Sequence, residues 1–432
     1  MEREDFSYKG LFLFSLPSIL SSLLEPLSAT IDTALVGQVS TEWLGGMALA
    51  VTLLSSFTWM FNFLVHASTQ SVASSIGSDT ENVSESVKTA LLVALFIGLG
   101  TTVFLWVAKP LLYQMVGVTP EIYAHTDTYF SIRVYGHCFT LLYTTLISLL
   151  RGLGRVNLGF IMVGLTTIIN ASITYLALFV FDWGLEGAAW GTTSSFTLGS
   201  IISFIILLRD KNIKGRFFKS KIKKEKWFRF GNNSINIFGR SFTLTTCFFL
   251  STRFASTLGV QDLAAHQILL QVWLFCSFLL DGVAVTGTVL GAKYFSKGEK
   301  QKLRLIYKRL LILGALIGFA FTVVYAIGGE FIVSMFSNDN GVTSIIFSFW
   351  LMIVLSQFFN AIAFVYDGLL FGLEEFKYLR KHMMIGGALV FLPIAIFGQM
   401  NGSLAVIWAG MIILNIYRGL SGFARVKRVV YE

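Results

Sequence analysis

Two acids, Asp32 and Glu25, stand in one predominantly apolar stretch running from Leu11 to Val36. A carboxylate at bilayer depth costs roughly 2.5–3.5 kcal/mol on insertion scales, so such residues mark functional sites by default. Seven residues is nearly two helical turns, which puts both acids on one helix face, about 10 Å apart along the axis. Pro26 lies between them; a proline inside a helix frees a carbonyl and invites a bend. Two acids and a breaker on one membrane helix read as a proton or cation site.

Further ionisable residues fall inside other apolar segments. Asp281 and Asp367 each open an Asp-Gly step, in Leu279-Leu-Asp-Gly282 and Val365-Tyr-Asp-Gly368. Both are second-half candidates for a transport role, or structural acids that cap a broken helix or pair with Arg133 or Arg240. Arg240 starts from a basic end and reads as a snorkelling side chain. Arg133 lies deeper in its segment and needs a carboxylate or carbonyl partner. Asn170 and Thr192 are small polar groups that join helices or hold a neighbouring carboxylate.

Other chemistries find no support. The five histidines lack metal-ligand spacing. Cys138, Cys247 and Cys276 all fall in apolar segments and read as packing residues. Neither a phosphate-binding P-loop nor a nucleophile elbow occurs, which argues against ATP-driven transport within this chain and against hydrolase activity. No cofactor is expected beyond a coupling ion, H+ or Na+.

The elements that position these residues are membrane helices. Of 432 residues 55% are hydrophobic and 13% charged, with a mean hydropathy of +0.71; soluble domains carry about 25% charged residues. Twelve apolar runs lie at about 10–36, 44–75, 88–108, 122–150, 157–181, 186–208, 233–258, 263–292, 304–327, 342–371, 381–397 and 403–424, each long enough for a hydrocarbon core of about 30 Å. The first residues lack a basic leader with a small-residue cleavage site, so the first run is expected to stay as a membrane helix.

The net charge of +9 is distributed by loop. Bases crowd 209–229 and 293–309, whereas 37–43, 181–186, 328–343 and 398–403 contain no Lys or Arg. That alternation is the positive-inside pattern, with some anionic-lipid contact, and does not indicate a nucleic-acid partner. With an even number of crossings, both termini are expected in the cytoplasm of a cell inner membrane.

The chain also reads as a duplication. Leu91–Gly98 matches Leu311–Gly318, and Leu149–Gly154 matches Leu369–Glu374, both at an offset of 220. Two six-helix lobes follow, 1–208 and 230–432, joined by a basic cytoplasmic linker at 209–229, as parallel repeats about an axis along the membrane normal.

Ile31-Asp-Thr-Ala-Leu-Val-Gly37 followed by Leu44-Gly-Gly-Met-Ala48 resembles the helix 1–2 signature of the multidrug and toxic compound extrusion (MATE) transporters. Phe130-Ser-Ile-Arg133, Leu150-Arg-Gly-Leu-Gly154, Gly187-Ala-Ala-Trp-Gly-Thr192, Leu280-Asp-Gly282 and Tyr366-Asp-Gly-Leu-Leu-Phe-Gly372 resemble the DinF-like branch. The resemblance implies a V-shaped, all-α pair of six-helix bundles that exports amphipathic, cationic compounds in exchange for protons or sodium and works as a monomer. It also implies a network built on Asp32, joined by Glu25, Asn170 and Thr192. The chain departs from the pattern where Thr174 replaces an acid four residues after Asn170, and where Asn236 replaces an acid before Arg240. A lipid-linked oligosaccharide flippase of the same superfamily is the alternative; it predicts several cationic residues facing a pyrophosphate.

Overall fold

In a computed structural model of the chain, residues 5–76, 80–337 and 339–432 are described, apart from the side chains of Glu25 and Thr80. Among the described residues, sixteen α-helices account for the twelve apolar runs. The first half holds α1 (Tyr8–Gly37), α2 (Thr41–Met60), α3 (Phe63–Ser75), α4 (Thr80–Val116), α5 (Pro120–Tyr135), α6 (His137–Gly152), α7 (Val156–Phe179) and α8 (Gly184–Arg209). The second half holds α9 (Lys224–Leu258), α10 (Val260–Ser296), α11 (Lys300–Ser334), α12 (Asn340–Ser348), α13 (Trp350–Gly372), α14 (Phe376–Ile385), α15 (Leu392–Met400) and α16 (Leu404–Val426). A π-helical turn over Gly386–Phe391 joins α14 to α15.

Ten of the twelve runs form helices long and apolar enough to cross a membrane by length and composition. Of the other two, α9 is the more polar, and the run over α5 and α6 is divided into helices too short to qualify singly. The chain breaks at Gly136 into two helices of 16 residues, the first bearing Glu121, Asp127 and Arg133, while α9 carries Arg240 and Arg253.

The Asp-Gly steps do not break their helices, contrary to the capping alternative; α10 and α13 run through them. Their glycines serve packing instead. A Cβ on Gly368 would lie 2.3 Å from the Ala284 carbonyl oxygen, and one on Gly282 would lie 2.4 Å from the Ile19 amide nitrogen. Only glycine lets the backbones come that close.

Two compact units emerge, residues 1–19 with 235–432 and residues 20–234. The opening of α1 groups with the second half and the basic linker with the first. Both passages between the units run inside helices, α1 and α9.

The duplication is visible in the backbone. After α6, Leu153 N, Gly154 N and Arg155 N donate to the carbonyls of Leu149, Arg151 and Leu150; after α13, Leu373 N, Glu374 N and Glu375 N donate to those of Leu369, Phe371 and Leu370. Gly154 has φ +75° and Glu374 φ +60°. The same left-handed helix stop therefore recurs at equivalent places, once with glycine and once without it.

Candidate functional site

The site in residues 20–234 is assembled on α1, α7 and α8. Small residues on α8 bring α7 close. A Cβ on Gly187 would sit 2.4 Å from the Ala177 Cβ, one on Gly191 would sit 2.8 Å from the Thr174 Oγ1, and one on Gly199 would sit 2.4 Å from the Thr166 Cγ2. These glycines and Ser195 recur every four residues, so a single groove on α8 receives α7. Thr174 and Thr192 face α1 across that seam.

Asp32 is 7% exposed. Asn170 Nδ2 donates to its Oδ2 at 2.7 Å, Thr174 Oγ1 to its Oδ1 at 3.1 Å, and Thr192 Oγ1 to its Oδ2 at 3.4 Å. Asn170 Nδ2 also reaches Ser28 Oγ at 3.3 Å, one turn before Asp32. Asn170 Oδ1 is buried without a hydrogen-bond partner. Among the described residues no ion pair to Asp32 occurs. The Arg133 guanidinium lies 5.7 Å from the Phe196 ring centre, with Nε and Nη1 buried and without a hydrogen-bond partner.

The three neutral partners share a chemical property. A threonine hydroxyl donates or accepts, and an amide presents a donor on one side and an acceptor on the other. The shell thus serves an ionised carboxylate, which only accepts, and a protonated one, which also donates. Of the sequence candidates, Asp32, Asn170 and Thr192 come together. Glu25 lies outside the described side chains, and Pro26 sits within unbroken α1, its carbonyl accepting from Thr30 Oγ1 at 2.9 Å. Thr174, the departure from the family pattern, is part of the shell.

The second-half candidates part company. Asp367, 6% exposed, accepts through Oδ2 from Arg418 Nη2 at 2.5 Å and from Arg240 Nη2. Arg240 is 8% exposed and lies over the Phe371 ring. It does not snorkel, because a buried carboxylate on α13 holds it. From Arg418 the hydrogen bonds continue through Asn415 Oδ1 at 2.5 Å, Asn360 at 3.5 Å and Ser277 at 3.0 Å. This chain ties α9, α10, α13 and α16 together. Asp281 is half-buried on α10. Arg418 was missed by sequence reasoning, although Asn415-x-x-Arg418 places two polar side chains on one face of an apolar run.

Cys138, Cys247 and Cys276 are buried free thiols, as packing residues should be.

The MatE family profile matches residues 17–176 and again 237–397, starting 220 residues apart as the internal duplication requires. The chain is 27% identical over 422 residues to Protein DETOXIFICATION 44, chloroplastic, of Arabidopsis thaliana, covering 94% of this chain and 80% of that one. It is 22% identical to DNA damage-inducible protein F of Escherichia coli, covering 96% and 91% of the two chains. A crystal structure of a MATE protein in a bent conformation superposes with a TM-score of 0.90 at 16% identity, covering 98% of this chain and 96% of that one. The fold is that of a MATE transporter, twelve membrane helices in two lobes. With two profile matches that together span most of its length, this chain belongs to the MatE family, the multidrug and toxic compound extrusion transporters.

Proposed function

We propose that this protein is a secondary active antiporter that exports amphipathic, cationic compounds by alternating access, in exchange for protons taken up at Asp32. The observation that carries this reading is the shell around Asp32, buried and built from neutral groups able to reverse their hydrogen-bonding roles. A carboxylate in an ion pair is locked in its charged form; one held by an amide and two hydroxyls is free to take a proton. Cation and proton then compete for one acid, which is exchange by linkage. Sodium is the other candidate ion, since the oxygens of Asp32, Asn170, Thr174 and Thr192 are of the type a sodium ion takes.

Asp367 has a different role in this reading. Two guanidiniums hold it ionised, so it ties the second half together and does not exchange protons. The same pairing disfavours the oligosaccharide flippase, since Arg240 and Arg418 are committed to Asp367 and not presented to a pyrophosphate. The protein acts as a monomer in an inner membrane, with both termini and the basic linker on the cytoplasmic side. Dye efflux from vesicles, driven first by a pH step and then by a sodium step, tests the proposal. Efflux with the pH step alone supports it; efflux with the sodium step alone refutes it.

A further inference from the structure

The basic linker between α8 and α9 is a folded element with two unlike faces. Its inner face packs on the first half. Ile213, Phe217 and Ser220 are buried, the Phe217 ring meets Phe204 at 5.6 Å, and Lys88 Nζ donates to the Ser220 carbonyl at 3.0 Å. Glu85, 1% exposed, is the clasp. It accepts from the Lys223 backbone amide at 2.6 Å and pairs with Lys226 Nζ at 3.0 Å. Asp210 is likewise committed, to Arg155 at 2.9 Å.

The outer face is basic and aromatic. Seven bases from Lys211 to Lys224 are exposed with no acid among them; the first acid after them is the exposed Glu225. Phe218 is 76% exposed and Phe228 63%. Phe218 meets Phe217 edge-on at 5.2 Å and Lys224 Nζ lies 5.7 Å from the Phe228 ring centre, yet both rings keep most of their surface exposed; seven like charges held on a fixed scaffold repel one another unless something neutralises them. The linker starts where α8 ends at Arg209 and closes where α9 begins at Lys224. In the twelve-helix transporter fold both helices cross the membrane, and on that reading the linker borders the membrane surface.

We propose that this outer face binds anionic phospholipid headgroups, the lysines and Arg216 contacting phosphate while Phe218 and Phe228 enter the upper acyl region. Basic residues with interleaved aromatics are the combination that holds a segment on an anionic surface. The inner clasp gives the surface its order, since Glu85 removes Lys226 from the outer set and pins the backbone beside it. This inference rests on the membrane fold alone and stands apart from the transport reading.

The test uses the full chain carrying Phe218→Cys, labelled with an environment-sensitive fluorophore; the three natural thiols are buried. The protein is reconstituted in phosphatidylcholine vesicles with or without phosphatidylglycerol, and quenching by neutral acrylamide is measured. Phosphatidylglycerol should lower quenching about threefold or more, and about 0.5 M salt should abolish that protection, because it shortens the screening length to a few ångströms. Lys214→Gln, Lys219→Gln and Lys221→Gln combined should abolish it too. Equal quenching in both vesicle types, or protection that survives the triple substitution, overturns the proposal.

Discussion

Thr174 Oγ1 donates to Asp32 Oδ1 at 3.1 Å, across 142 residues of chain. The position where the family pattern carries an acid thus supplies a neutral donor to the acid that remains. A second carboxylate there would add a like charge beside Asp32. A hydroxyl instead leaves one titrating group with a shell that fits both of its states.

Thr174→Val keeps the shape and removes the donor. A hydrogen bond to a charged group contributes about 1.5–3 kcal/mol, so the ionised form should lose roughly that much. Export should fall roughly tenfold and its pH profile should move upward, since the neutral form gains relative to the charged one. Vesicle efflux measured across pH checks this, with Thr174→Ser restoring the profile.

Asp367→Asn should act on stability. It leaves Arg240 and Arg418, both buried, without their carboxylate, and breaking a buried pair costs about 3–5 kcal/mol. Thermal unfolding in detergent should fall sharply. Replacing Asp367, Arg240 and Arg418 together by apolar residues of similar volume should recover much of the loss.

Glu374 occupies a left-handed position, φ +60°, where its counterpart in the first half is Gly154. Glu374→Gly should stabilise the protein by about 1 kcal/mol, the cost of a side chain in that region. A raised melting temperature with unchanged export is the expected result.

Glu85→Gln weakens the clasp on the linker. With the Lys226 pair lost and the Lys223 amide held by a neutral acceptor only, residues 210–223 should open more often. Limited trypsin digestion of the purified protein should then cut among those lysines several-fold faster than in the wild type, as local opening predicts.

Much of this architecture was legible in the sequence because a bilayer imposes simple rules. Apolar runs and loop charges gave the spans, and two short matches at one offset gave the duplication that the family profile repeats. Asp32 stood out because an acid in an apolar run is costly. Asn170 and Thr192 were visible as small polar groups that join helices or hold a carboxylate, and only the family resemblance tied them to Asp32. Partnerships across the chain were legible only in part. The pair of Asp367 with Arg240, 127 residues apart, stood among the alternatives for that acid, but Arg240 itself read as a snorkelling side chain, and Arg418 hid in the last run. Glu85 falls outside the apolar runs and was not singled out; it is buried because the linker, 138 residues later, folds over it. The Asp-Gly steps looked like breaks because a glycine needed for close helix packing has the same letter as one needed for a turn.

The central claim is that one buried acid on α1 exchanges its proton for cargo. The most direct measurement is proton movement coupled to dye efflux in vesicles carrying Asp32→Asn, beside wild type and Glu374→Gly as a folding control. The account predicts that Asp32→Asn stays folded in the membrane and loses both efflux and the opposing proton flux. Wild-type efflux with its accompanying proton flux from Asp32→Asn would contradict it.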